Sequence, residues 1–354
     1  MPTPTLTELT LGRRSRALRL ENDLLSAVIV LDQGADILSL TYKPKQMDVL
    51  FKVPRPPREH GVGAPPTGDS FAQWLAYYPG GWQVIFPNFG PANDYQGATL
   101  DFHGEAARVP WHVVSVENAA AALALTLGVT LLKCPFRLGR TLSLRAGSPL
   151  LHIRETITNT GVDLATCMWG HHPAFGAPFL SPDCFIDTGA QSIETDDSYD
   201  VPGNDLPLGQ TWAWPHVTNR QGQPVDLSRI PPPGDGHARV LWLKDFREAW
   251  YAITNPALGF GVGLAWDGGV FPYAAFWQET GGTRDHPWYG SAYVIAIEPN
   301  ASYPAHGLTT VMRKTRTHLT VAPGESRSVN LVAVFYEGSQ RVTKIDADGN
   351  VIRS

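Results

Sequence analysis

Apolar residues in this chain recur with a period of two in segment after segment and almost nowhere with a period near 3.6. That property limits what the chain can fold into. In Leu151-His-Ile-Arg-Glu-Thr-Ile-Thr158 the odd positions are mostly apolar, while His152, Arg154, Thr156 and Thr158 face the other way. Residues 327–335 repeat the pattern after their first position. Successive side chains of a strand point to opposite faces, so each such run reads as a strand with one face in a core. Comparable runs lie at 16–20, 25–30, 36–42, 111–117, 121–132, 140–144, 239–243, 250–254 and 259–266. Together they predict an all-β chain built on large antiparallel sheets with few short helices.

The helical pattern is confined to Ser70-Phe-Ala-Gln-Trp-Leu-Ala-Tyr-Tyr78, about two turns with Asp69 or Ser70 as cap and Pro79-Gly80-Gly81 as stop. With no sustained amphipathic helix there are no βαβ units, which excludes dinucleotide-binding and TIM-barrel folds. Two stretches rich in Pro, Gly and Asp, 53–68 and 197–236, are expected to be long loops or insertions, since strand patterns resume on both sides. Residues 1–338 therefore read as one domain. Residues 339–354, with the turn signal Asp346-Ala-Asp-Gly-Asn350, read as a tail or an extra hairpin.

Charge narrows the partners. Against 33 Asp and Glu stand 28 Lys and Arg, a net of −5, with no run of five basic residues, so the footprint for nucleic acid or an anionic membrane is missing. Cys134, Cys167 and Cys184 are odd in number and lack a CxxC spacing, which argues for reduced thiols. The first residues lack a basic-then-apolar leader pattern, and no stretch of 18 apolar residues occurs. The expectation is a cytoplasmic protein. The 11 Trp residues suit a sugar, whose C–H faces stack on aromatic rings, although core filling is the plainer reading of any single one.

Two places break the apolar pattern in a way that packing does not explain. Ser291-Ala-Tyr-Val-Ile-Ala-Ile-Glu298-Pro299-Asn300 closes an apolar run with a carboxylate, and Trp169-Gly-His171-His172-Pro173-Ala-Phe175 turns from apolar residues to imidazoles. A buried charge without a partner is costly, and a carboxylate with a histidine makes a general base and a general acid. Taken singly, Glu298 also suits a strand-end surface carboxylate, and the two histidines an ordinary hydrogen-bonded pair.

In order along the chain, Gly80-Gly-Trp-Gln-Val-Ile-Phe-Pro-Asn88, His103-Gly-Glu-Ala-Ala-Arg108-Val-Pro-Trp111, His171-His172-Pro-Ala-Phe175 and Ile297-Glu298-Pro299 resemble the aldose 1-epimerase (galactose mutarotase-like) family. The resemblance implies a β-supersandwich with a sugar cleft and no cofactor. It places the family's base on Glu298, its acid on His172 and a sugar-contacting histidine on His103. Removing the C1 hydroxyl proton while protonating the ring oxygen opens the ring, so both groups must reach one cleft. The galactose-specific members carry an Asn-Arg pair before His-Gly and Tyr-Phe-Asn after His-Pro. Here both are absent, so their sugar preference does not carry over.

Further substrate contacts are expected among His171, Asn88, Arg108, Asp245, Trp277 and Gln278, with Arg108, Lys244 and Arg284 as candidates for an anionic group. Trp277 and Gln278 set an aromatic beside an amide, matching a sugar's mixed surface. Asp245 is the loosest match, to the family's mid-chain aspartate. His171 neighbours His172 on a strand and so reaches the cleft only if the strand ends there. The resulting expectation is an aldose 1-epimerase acting as a monomer or homodimer on a monosaccharide or sugar derivative. The alternatives are a non-catalytic sugar-binding module, a mutarotase for a phosphorylated or acidic sugar, and a cupin-type metal isomerase, whose cluster of His ligands is not visible.

Overall fold

A computed structural model of the chain describes residues 2–54 and 69–354. Most of the loop expected at 53–68 lies outside the described residues. Two antiparallel sheets dominate. The larger, of twelve strands, begins with the meander Thr5–Leu11, Ser15–Glu21, Leu25–Val30 and Asp36–Tyr42. It continues through Trp82–Ile85, Gly170–Gly176, Tyr293–Asn300, Tyr273–Thr280, Ala238–Lys244, Ser192–Thr195 and Thr211–Ala213, with Met47–Asp48 paired beside Asp36–Tyr42. The second, of eight strands, runs in the order Phe185–Thr188, Trp250–Asn255, Phe260–Trp266, Ser326–Glu337, Leu150–Asn159, Phe136–Arg145, Ala122–Thr130 and His112–Ala119.

The alternation seen in the sequence becomes burial. Phe136, Leu138, Leu142 and Leu144 are buried while Arg137 and Arg145 are exposed, and the same rhythm runs along Leu150–Asn159. The inward residues of both sheets meet in one large core that includes Leu142, Ile153, Leu331, Ile295 and Ile297. The middle strands of the twelve-stranded sheet differ. Gly170–Gly176 is buried at every position and Tyr293–Asn300 at every position after its first. A strand buried on both faces has no solvent side for polar groups, so His171, His172 and Glu298 must each be accounted for.

The helix Ser70–Tyr77 forms where expected, with the Asp69 carboxylate accepting from Phe71 N–H. A second helix, Leu308–Lys314, was not anticipated from the sequence. The stretch 197–236 is more than a plain loop, since it carries the short strands Thr211–Ala213, His216–Thr218 and Pro224–Asp226. Beyond residue 339 the chain forms the hairpin Val342–Ile345 with Val351–Arg353. Among the described residues no helix is long and apolar enough to cross a membrane.

A candidate acid–base site in an aromatic cavity

The register of two adjacent strands brings the two pattern-breaking segments together. Gly170 pairs with Asn300 and Ala174 with Ala296, which sets His172 opposite Glu298 across the ladder. Side-chain alternation then decides the face. Ile295 and Ile297 enter the core between the sheets, whereas Val294 and Ala296 pack with Ala174, Trp74 and Tyr78 on the other side, the side of Glu298. His172 Nε2 lies 3.6 Å from Glu298 Oε1, with both side chains almost fully buried. His172 Nδ1 and Glu298 Oε2 have no hydrogen-bond partner in the protein.

Above this pair the outer face opens into a cavity of about 500 Å³. Its walls are largely aromatic, with Trp74, Phe89, Phe102, Trp277 and Trp288 all lining it. The Trp277 ring centroid lies 5.8 Å from that of His172 and 6.0 Å from that of Trp288. Trp74 is fixed because its indole N–H donates to Gln83 Oε1 (3.0 Å), and Gln83 is the cross-strand neighbour of His172. His103 enters from a loop, its ring 5.7 Å from the His172 ring. The backbone there is left-handed at His103 (φ 57°) and at Gly104 (φ 83°), where an added Cβ would meet the Phe86 carbonyl oxygen at 2.2 Å. His103 Nδ1 accepts from Gly90 N–H (3.2 Å), so the neutral ring carries its proton on Nε2.

Burial sets the protonation of the trio. Desolvation holds Glu298 well above the usual carboxylate range and pushes His172 down to about 4. His103 is likewise pushed well down, by burial first and by the His172 charge second. The low-dielectric pocket thus favours a net-neutral pair, Glu298 and His172 holding one titratable proton between them.

Four of the nine residues expected at the site meet in this cavity: Glu298, His172, His103 and Trp277. The other five do not line it. His171 points into the inter-sheet core, where its Nδ1 accepts from Trp82 Nε1–H (3.1 Å) and its Nε2 faces Glu155 Oε1 at 3.8 Å. Gln278 falls on that same inner face and accepts from Arg239 Nη1–H (2.7 Å), because it is one residue from Trp277 on a continuous strand. Asn88 is a buried loop staple, donating to the Pro91 and Asp101 carbonyls and accepting from Leu308 N–H. Arg108 serves the loop-to-helix contact, reaching Gln73 Oε1 at 2.6 Å and Asp101 Oδ2 at 3.3 Å. Asp245 is exposed in a left-handed turn (φ 54°), bonded by Ser192. Of the anion candidates, Lys244 pairs with Glu194 at 2.5 Å, and neither it nor Arg108 nor Arg284 lines the cavity.

Residues missed from sequence supply a polar corner of the wall: Asp196, Ser198 and His306. His306 Nε2 lies 3.0 Å from Asp196 Oδ1 and 2.8 Å from Ser198 Oγ. Asp196 also accepts from Ser198 N–H (2.9 Å), Tyr199 N–H (3.0 Å) and Trp242 Nε1–H (3.3 Å). Burial works against its charge, but His306 and these donors overcome it and hold Asp196 down at about 2. Asp196, Asp197 and His306 also offer three potential metal-ligand atoms within 4.8 Å of one another. The Lys314 ammonium already neutralises Asp197 (2.6 Å to Oδ1), and the Asp196 oxygens are taken, so the group reads as a brace for the wall.

The comparisons agree with this architecture. A candidate aldose 1-epimerase from Klebsiella pneumoniae superposes with a TM-score of 0.71 at 18% identity, over 95% of this chain and 84% of that one. A galactose mutarotase-like protein from Clostridium acetobutylicum gives 0.67 at 16% identity, over 95% and 99%. One from Lactobacillus casei gives 0.58 at 18%, over 90% and 100%. At such identities the likeness is one of fold, and the fold is galactose mutarotase-like. No curated protein matches by sequence. A family model matches residues 12–208, more than half of the sequence, and the chain therefore belongs to the family described as domain of unknown function DUF4432.

Proposed function

We propose that this chain is a cofactor-independent aldose 1-epimerase in which Glu298 and His172 exchange protons with a bound aldose. The observation that carries the reading is their cross-strand placement at the cavity floor, 3.6 Å apart, each with an unpartnered polar atom. A buried carboxyl and a buried imidazole left open in this way suit a ligand that both donates and accepts.

In the reaction the C1 hydroxyl gives its proton to Glu298 while His172 gives one to the ring oxygen. The C1–O5 electron pair leaves with that oxygen and C1 becomes an aldehyde. Rotation about C1–C2 and the reverse proton movements close the other anomer. No electrons are gained or lost overall. The reacting form, Glu298 carboxylate with His172 imidazolium, has the same net charge as the resting pair and differs from it by one proton hop. A hydroxyl donating to Glu298 and a ring oxygen accepting from His172 would favour that form. His103 Nε2–H would bind a sugar oxygen and Trp277 would stack on the C–H face of the ring.

The test is anomer exchange by NMR across neutral, acidic and phosphorylated aldoses. Enzyme-dependent exchange lost in both Glu298→Gln and His172→Asn supports the reading. Sugar binding that survives both substitutions, with no acceleration for any aldose, would replace it with a sugar-binding module.

A further inference from the structure

The composition of the cavity wall says more about the occupant than the acid–base pair does. Two features matter, and both lie outside the reacting pair. The first is charge. Among the described residues lining the cavity none is Lys or Arg, and the Asp196 carboxylate stands in its wall, held ionised and already paired with His306. A phosphate, sulfonate or carboxylate on the ligand would be desolvated there beside the Asp196 carboxylate, with no Lys or Arg to receive it and with His306 already engaged by Asp196 and Ser198. Lys314, the nearest ammonium to this corner, is bound to Asp197.

The second feature is the apolar surface. A cavity of about 500 Å³ falls within the roughly 300–1,000 Å³ of ordinary small-molecule pockets, which are lined mostly by apolar side chains with a few placed polar groups. Away from Glu298, His172, His103 and the corner of Asp196, Ser198, Tyr199 and His306, the wall is apolar and includes Trp74, Phe89, Phe102, Trp277 and Trp288, with the side chains of Val240 and Ala275. Trp74 cannot readily turn its indole N–H toward a ligand, because Gln83 holds it. The Asp196 oxygens are satisfied by protein donors. A sugar hydroxyl pressed against this wall would lose water and gain little in return, whereas a methyl group would gain contact.

We infer that the site takes an uncharged aldose bearing an apolar substituent on a carbon remote from C1, the 6-deoxyhexoses being its simplest members. This rests on the epimerase reading and narrows it to a substrate class. Trp277 and Trp288, both only partly buried at the mouth, are the residues that make the distinction.

The experiment compares matched sets by NMR exchange: D-galactose, 6-deoxy-D-galactose and D-galactose 6-phosphate, with the corresponding D-glucose set. The expected result is kcat/KM about tenfold or more higher for each 6-deoxy sugar than for its parent, the order of one hydroxyl buried without a partner, and no saturable exchange with either 6-phosphate. Trp277→Ala should bring the 6-deoxy and parent rates together. Equal or faster exchange of the parent hexoses, or efficient exchange of a 6-phosphate, would overturn the inference while leaving the epimerase reading intact. No exchange of any member of either set, with folding verified by near-ultraviolet circular dichroism, would count against the epimerase reading itself.

Discussion

Replacing His172 by Asn tests the protonation of the pair directly, through stability. Burial holds the folded His172 at about 4, against an ordinary 6.5. A histidine depressed in the folded state contributes stability that is fully present above 6.5 and is lost as pH falls through 4. The difference corresponds to roughly 3 kcal/mol in all, of which about 2 kcal/mol disappears between pH 7 and pH 5. His171 is depressed to about 4 in the same way and remains in the variant, so the wild type and His172→Asn should both weaken in acid. What should differ is the slope. Urea unfolding followed by tryptophan fluorescence at pH 7, 6 and 5 should show the wild type losing about 2 kcal/mol more than the variant over that range. The sign carries the weight. If Glu298 were ionised and paired with a charged His172 in the resting protein, the histidine would be raised instead. The wild type would then gain on the variant in acid, and the neutral-pair reasoning would fall; parallel curves would refute it equally.

Glu298→Gln probes the other half. A carboxyl raised by burial lends stability at low pH that is lost as pH rises through its folded value, so the Gln variant should exceed the wild type in melting temperature at pH 8 and above, with the gap closing toward pH 5. A wild type that stays the more stable at pH 8 would show that the carboxylate is tolerated. Gly104→Ala should cost more than about 3 kcal/mol, since both a left-handed backbone and the Phe86 carbonyl at 2.2 Å oppose a Cβ. Thermal unfolding measures it, and a wild-type melting temperature would show that the His103 loop is not fixed by that glycine. Glu155 joins Arg140 Nε (2.7 Å) and Trp169 Nε1 (2.6 Å) beneath the site. Glu155→Gln should destabilise by roughly 3 kcal/mol yet leave exchange per folded molecule unchanged; a selective loss of exchange would tie this inner network to the chemistry.

How much could be read from the sequence follows from the range of the signal. Alternation is local, so the strands at 25–30, 36–42 and 250–254 were legible almost to the residue. The same rule, applied strictly, separates Trp277 from Gln278 and His172 from His171, whose neighbours in sequence lie on opposite faces of the sheet. The helix Leu308–Lys314 escaped because seven residues with two buried side chains are too few to show a period. The polar corner escaped for a different reason. Asp196 precedes Asp197 and Ser198 in what reads as a solvated acidic turn, and its partner His306 is 110 residues away. Loop-borne walls such as Phe102 and Trp288 leave no periodic mark at all.

The seating of His172 and Glu298 on facing positions of one ladder has a consequence for how such a protein can diverge. Their separation is set by the hydrogen-bonded spacing of two backbones, about 4.8 Å in any sheet, which hardly responds to what happens elsewhere. Every wall that touches the rest of an occupant comes instead from the helix Ser70–Tyr77, from neighbouring strands or from loops around Phe89, His103, Tyr199, Trp288 and His306. The molecule is thus divided into a hub fixed by the sheet ladder and a rim built from separate elements. Substitutions in the rim can change what the cavity accepts without altering the distance between His172 and Glu298.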